Sequence, residues 1–178
     1  ATAQLNGWTV DIFGTDLSSE MVEKAKAGVY SQFEVQRGLP ITLLMKYFSQ
    51  IGTDKWQISE EMRNKVEYKV GNLLQDFGPI GTYDIVYCRN VLIYFDQATK
   101  ARVLEAISKV MAPDGILFLG GAETVLGVSE VFKPLDSQRG MYVLSKRPNT
   151  GMLPNGIPET GGAAPAAPVS AEPAAASV

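Results

Sequence analysis

The stretch DIVYCRNVLIYFD, residues 84–96, decides how this chain is read. Together with Tyr83, its first half forms YDIVYC, an apolar cluster of the kind expected in a buried central strand. Arg89 and Asn90 then interrupt, before Val91, Leu92, Ile93, Tyr94 and Phe95 resume the apolar run. Burying a cation and an amide between two such runs costs several kcal/mol unless both are paired. The pair therefore marks either a structural network with a nearby carboxylate or a strand end where a ligand is met.

Bulk properties narrow the choice. A chain of 178 residues, 46% hydrophobic and 20% charged, can bury a core and fits one globular domain. A net charge of −3 and a pI near 5.0 exclude the clustered basic surface of a general nucleic-acid binder. No apolar run reaches the length of a membrane span, and ATAQLNGWTV lacks the pattern of a signal peptide. The single cysteine, Cys88, has no internal partner, which favours a reducing, cytoplasmic setting. The absence of histidine removes the commonest general base, the Ser/His and Cys/His nucleophile pairs, and imidazole metal sites. No metal site is expected.

Working outward, TVDIFGTDL (9–17) reads as a buried strand, followed by a helix capped at Ser18 or Ser19 and stopped by Gly28. Pro40 opens a second helix with the apolar positions of ITLLMKYF. Residues of about 47–71 alternate as short strands, KYFSQIG, KWQIS and KVEYKVGN, and suggest a small antiparallel β-subdomain. Asp96 caps a helix whose Val103, Leu104, Ile107 and Val110 share a face. Pro113-Asp114-Gly115 is read as a turn into the buried strand ILFLGG, and VFKPLDSQRGMYVLSK as a closing antiparallel hairpin. Alternating strands and helices indicate an α/β sheet over residues 1–146. Residues 147–178 contain no aromatic side chain and six of the ten prolines, so they are expected to form a disordered tail or linker.

In an open α/β sheet, ligands bind beyond the carboxyl ends of the strands. Asp16, Asn72, the Arg89-Asn90 pair and Glu123 all fall at such ends. An acidic residue ending a strand of a nucleotide-binding sheet commonly receives ribose hydroxyls, yet Asp16 equally suits a helix cap and Asn72 a turn. Cys88 reads as a small core residue.

In order, GTDLSSEMVEKAKAGVY, the β-rich insertion, GNLLQDF, YDIVYCRNVLIYFDQATKARVL and MAPDGILFLGGAET resemble the catalytic domain of the CheR-type chemotaxis receptor methyltransferases, over about residues 8–145. The resemblance implies a Rossmann-like S-adenosylmethionine (SAM)-dependent methyltransferase sheet with a small β-subdomain. The implied activity is methylation of glutamate side chains on the cytoplasmic domain of chemoreceptors, leaving S-adenosylhomocysteine (SAH). Asp16 would then hold the ribose, Asn72 and Leu73 would frame the adenine, and Asn90 and Val91 would line the methionine side. Tyr94 would stand near the transferred methyl group. Arg89 comes second, as organiser of the loop or receptor for the substrate carboxylate. In some members the β-subdomain binds a receptor's C-terminal peptide at its edge; Trp56 and Tyr68 are candidates for that edge or for ordinary strand packing.

The family's glycine-rich SAM loop and its helical N-terminal domain have no counterpart here, and TVDIFGTDL matches the family's second strand. The chain is accordingly expected to be a fragment, truncated before that strand, that binds SAM weakly alone. Two rival readings are a non-catalytic receptor-docking module and, on fold alone, an NAD-dependent oxidoreductase for which no glycine fingerprint exists.

Overall fold

The computed structural model describes residues 7–75, 80–136 and 138–146. The expected tail, 147–178, and the residues before Gly7 lie outside them. The chain divides into two compact units, Ala1–Pro79 and Ile80–Val178.

In the first unit, β1 (Ile12–Asp16) leads into α1 (Ser19–Ala27), capped by the Ser18 hydroxyl accepting the Met21 N–H. Gly28 ends this helix in the left-handed region, φ 61°, where a side chain would be strained. Two short elements escape the periodicity of the sequence: β2 (Val29–Ser31) and α2 (Gln32–Gln36). A capping box joins them, with the Glu34 carboxylate accepting the Ser31 N–H at 2.8 Å. That bond first, then Lys24 at 3.0 Å, holds the Glu34 carboxyl down to about 2. Beyond α3 (Ile41–Tyr47), β3 (Phe48–Ile51) and β4 (Lys55–Ile58) pair antiparallel, and β2 adds to the other side of β4.

The antiparallel subdomain is therefore β2-β4-β3, spanning 29–58 rather than the expected 47–71. Past the short α4 (Glu60–Arg63), β5 (Val66–Val70) leaves it and pairs with β1, parallel, Ile12 against Val66 through Asp16 against Val70. Alternation in KVEYKV identifies a half-covered strand but does not reveal its partner. Trp56 consequently lies on the central strand of the subdomain, with its indole N–H donated to Gln32 Oε1 at 2.6 Å. Tyr68 faces Gly14 across the β1–β5 pair. Neither forms a subdomain edge, and the packing reading holds for both.

In the second unit the order is β6 (Tyr83–Cys88), β7 (Met111–Leu119), β9 (Met141–Leu144), β8 (Phe132–Pro134). β6 and β7 run parallel, connected through α5 (Gln97–Lys109), while β8 and β9 form the expected hairpin. Val103, Leu104 and Ile107 of α5 are buried together with Leu117, Leu119, Val125 and Val143. Asp96 caps α5 by accepting the Thr99 N–H at 2.7 Å. The residues Pro113–Gly115 do not precede β7 but interrupt it: the register jumps from Tyr83–Met111 to Ile85–Ile116. Proline is tolerated in a strand at such an irregularity because no ladder N–H is lost there.

YDIVYC is not central among the described strands. β6 ends the sheet with β7 as its one partner, and Ile85 and Tyr87 are 54% and 68% exposed. One parallel β-α-β connection in the second unit, and a parallel pair in the first, place the chain in the α/β class.

A methyl group on Gly14 would fall 2.8 Å from Cδ1 and Cε1 of the Tyr68 ring. Gly14→Ala is therefore expected to destabilise the β1–β5 pair by about 1–3 kcal/mol in urea unfolding, with partial recovery when Tyr68→Leu is added. An unchanged midpoint would mean that the ring yields freely.

Candidate functional site

The polar groups at the strand ends fall into two sets, one per unit. In the first, Asp16 ends β1 and Asn72 lies just beyond its parallel neighbour β5, the two ends being tied by the Gly71 N–H donated to the Asp16 carbonyl at 2.9 Å. Asp16 is exposed, and its Oδ1 accepts the Ser18 N–H at 2.8 Å. Asn72 is half-buried; its Oδ1 accepts the Leu74 N–H at 2.9 Å and its carbonyl accepts the Gln75 N–H at 3.0 Å. Asn72 thus makes the turn that the sequence allowed, whereas Asp16 makes a local turn onto Ser18, which is the residue that caps α1. Leu73 is half-buried beside them.

In the second unit the carboxyl ends of β6 and β7 meet at one group that sequence reasoning noted but did not assign. Glu123 is 8% exposed, the sole buried charged residue among those described. Its Oε2 accepts the N–H groups of Gly120 at 2.6 Å and Asn90 at 2.7 Å. Its Oε1 accepts those of Leu92 at 2.7 Å and Val91 at 2.9 Å. Asn90 has φ 60° and Val91 is right-handed, so three successive N–H groups converge into an anion-binding concavity. Asparagine is one of the few residues that tolerates that left-handed conformation.

Arg89 and Asn90 therefore mark a strand end, and they are exposed rather than buried. The expectation of a hidden polar pair fails because the chain turns outward at once. The group taken from water is the carboxylate 33 residues further on in sequence. Burial, the largest single influence, acts to raise the Glu123 carboxyl, but the four backbone N–H donors prevail and hold it below the ordinary carboxylate range. Gly120 permits the approach: an added Cβ would collide with Asn90 Oδ1 and lie 2.6 Å from Glu123 Oε2.

From this clamp the 3₁₀ turn Leu92–Tyr94 projects Tyr94, 80% exposed, and Ile93, 48% exposed, while Leu92 is buried and Val91 half-buried. Cys88 is buried, and burial, with the Glu123 charge adding, pushes its thiol up to about 11. It is a core residue and no nucleophile at neutral pH. Among the described residues no cluster of His, Cys, Asp and Glu could hold a metal ion, and no helix is long and apolar enough to cross a membrane.

Residues 1–141, including both strand-end sets, match the family described as CheR methyltransferase, SAM binding domain. The chain belongs to that family. The CheR match extends to curated relatives. The chemotaxis protein methyltransferase Cher2 of Pseudomonas putida is 36% identical over 135 residues, 76% of this chain and 49% of that protein. Chemotaxis protein methyltransferase 1 of Pseudomonas aeruginosa is 36% identical over 137 residues, 77% of this chain and 50% of that one. The chemotaxis protein methyltransferase of Salmonella typhimurium is 34% identical over 142 residues, 76% and 47%. The chain thus spans about half the length of these curated CheR relatives.

SAM is the cofactor of the CheR domain, and the first unit has donors and acceptors suited to its nucleoside. Asp16 has an exposed carboxylate, and Asn72 and Leu73 at the adjoining strand end are half-buried, with Leu74 exposed.

Glu123→Gln keeps the shape but turns an amide toward backbone donors, and is expected to cost about 2–4 kcal/mol. The native carboxylate stabilises the fold above the unfolded-state value of about pH 4.3, and that stability is lost as pH falls through the lower folded value. Denaturation from pH 7 to 3 should show this loss in the native protein and a flatter profile in the variant. Equal profiles would remove the role assigned to Glu123.

Proposed function

We propose that this chain is the greater part of a domain that methylates chemoreceptors, with a glutamate side chain as acceptor and a glutamyl methyl ester as product. The observation that carries the reading is the carboxylate-clamped turn at 90–92, which presents Tyr94 to solvent within the segment CRNVLIYF. In the first unit, Asp16 receives the ribose hydroxyls of the cofactor, and Asn72 and Leu73 border the adenine. In the second, Asn90 and Val91 line the methionine side, and Tyr94 and Arg89 are the catalytic candidates.

When bound, SAM supplies a methyl group on a sulfonium sulfur, which takes the bonding electron pair as a carboxylate oxygen bonds to the methyl carbon. The acceptor is already ionised near neutral pH, so no general base is needed, consistent with a chain without histidine. What the protein must supply is position. The Tyr94 hydroxyl can donate to one carboxylate oxygen and leave the other to attack. Glu123 takes no part in proton transfer, because both of its oxygens are occupied by backbone donors. It keeps the turn that carries Tyr94 in one conformation.

The cytoplasmic domain of a chemoreceptor is the proposed protein substrate. The free edges of the three-stranded subdomain, β2 and β3, are the proposed place for a receptor C-terminal peptide to add as a strand. A docking module without turnover would keep these edges and lack methyl transfer.

Calorimetric titration of SAH is expected to show weak binding that falls at least about tenfold further in Asp16→Asn and in Asn72→Ala. Transfer of labelled methyl from SAM should give a base-labile product that releases methanol. SAH binding indifferent to both substitutions, or a base-stable product, would contradict the reading.

A further inference from the structure

Beyond β7, against the Glu123 clamp, lies a cavity of about 270 Å³. Gly120, Gly121, Glu123, Thr124, Arg139 and Tyr142 are among its walls. Two formal charges line it, and they are not equivalent. The Glu123 carboxylate already accepts four backbone N–H groups and is buried, so little of its charge remains to be answered. Arg139 is exposed and forms no ion pair among the described residues. The cavity therefore offers a guanidinium without a partner, beside glycine backbone that leaves room for a ligand to approach.

The position of Arg139 is built into the fold. Gly140, with φ 79°, turns the chain into β9, and its carbonyl accepts the Leu119 N–H at 2.9 Å. Arg139 is thereby tied to the carboxyl end of β7, one residue before Gly120 enters the Glu123 clamp. The same clamp holds Asn90 through Leu92, from which Tyr94 projects. Tyr142, the next aromatic after Arg139, donates its hydroxyl to the Glu123 carbonyl at 3.4 Å. Arg89, the arginine suggested by the sequence, does not line this cavity.

We propose that Arg139 receives the side-chain carboxylate of the glutamate to be methylated, in the cavity beyond β7; this rests on the methyltransferase reading above. A planar guanidinium can hold one carboxylate oxygen, or both side-on, while the cavity walls fix the chain that carries it. The interaction discriminates by charge. A glutamate is held, whereas a glutamine or the methyl ester product offers only a neutral oxygen and is released. Arg139 would thus set acceptor specificity and favour product departure.

The test uses the ¹⁵N-labelled chain titrated with N-acetyl-glutamic acid α-amide, with the corresponding glutamine compound, and with SAH. The glutamate compound should shift the amides of Gly120, Gly121, Thr124 and Gly140 with millimolar affinity, at least about tenfold tighter than the glutamine compound. Arg139→Gln should abolish that preference and Arg139→Lys should retain part of it; the position is exposed, so the fold is not at risk. Equal binding of the two compounds, no shift up to about 50 mM, or a preference unchanged in Arg139→Gln would overturn the proposal. So would a tenfold loss confined to SAH, which would assign the guanidinium to the carboxylate of the cofactor. SAH binding that persists while the glutamate arm fails leaves the methyltransferase reading standing. SAH binding indifferent to Asp16→Asn and to Asn72→Ala removes that reading itself.

Discussion

One carboxylate organises the second unit. Glu123 sits in a turn after β7 and draws in four backbone N–H groups from two segments 28 residues or more apart, Asn90–Leu92 and Gly120. An ionised carboxylate buried without partners would cost several kcal/mol, and one with four short donors does not. The same contacts satisfy N–H groups that a strand end would otherwise leave open. Charge, turn and strand ends are mutually dependent, which explains why Gly120 must lack a side chain and why Asn90 adopts a left-handed conformation.

This internal pairing has a functional consequence. Anion-binding concavities of backbone N–H groups often serve ligands, but here the protein's own carboxylate fills it. The turn is thus held by the protein's own groups, and it projects Tyr94 into solvent. Pre-positioning suits a transfer reaction in which the nucleophile is ionised beforehand and the protein contributes mainly geometry. The first unit follows a simpler plan: Asp16 and Asn72 each make a local turn with one oxygen at adjacent strand ends.

Several strands, most helices and the hairpin are legible in the sequence because each carries its period and its punctuation: Ser18 and Gly28 bound α1, and Asp96 opens α5; the strand at 9–17, read as buried, is instead largely exposed. β2 and α2 were not legible, because three and five residues are too short to express a period. The partner of β5 was also hidden, since alternation reports a covered face and not the neighbour on either edge. Asp16, Asn72, Asn90 and Tyr94 were visible as strand-end polar residues and through the family resemblance. Glu123 was visible as a residue but not as a hub. Its one sequence signal is that it stands as the only charged residue between Asp114 and Glu130, in an otherwise apolar and glycine-rich run. Pairing across 33 positions with backbone donors leaves no trace in side-chain chemistry, so the sequence displays the polar Asn90 and hides its partner Glu123.

The most direct test of this account is a carbon-detected NMR titration of the Glu123 carboxyl, followed together with the amides of Asn90, Val91, Leu92 and Gly120. The account predicts a midpoint below the ordinary glutamate value, shared by the carboxyl and all four amide resonances. A midpoint at or above that ordinary value, with the four amides unmoved, would show that the carboxylate does not hold the strand ends together.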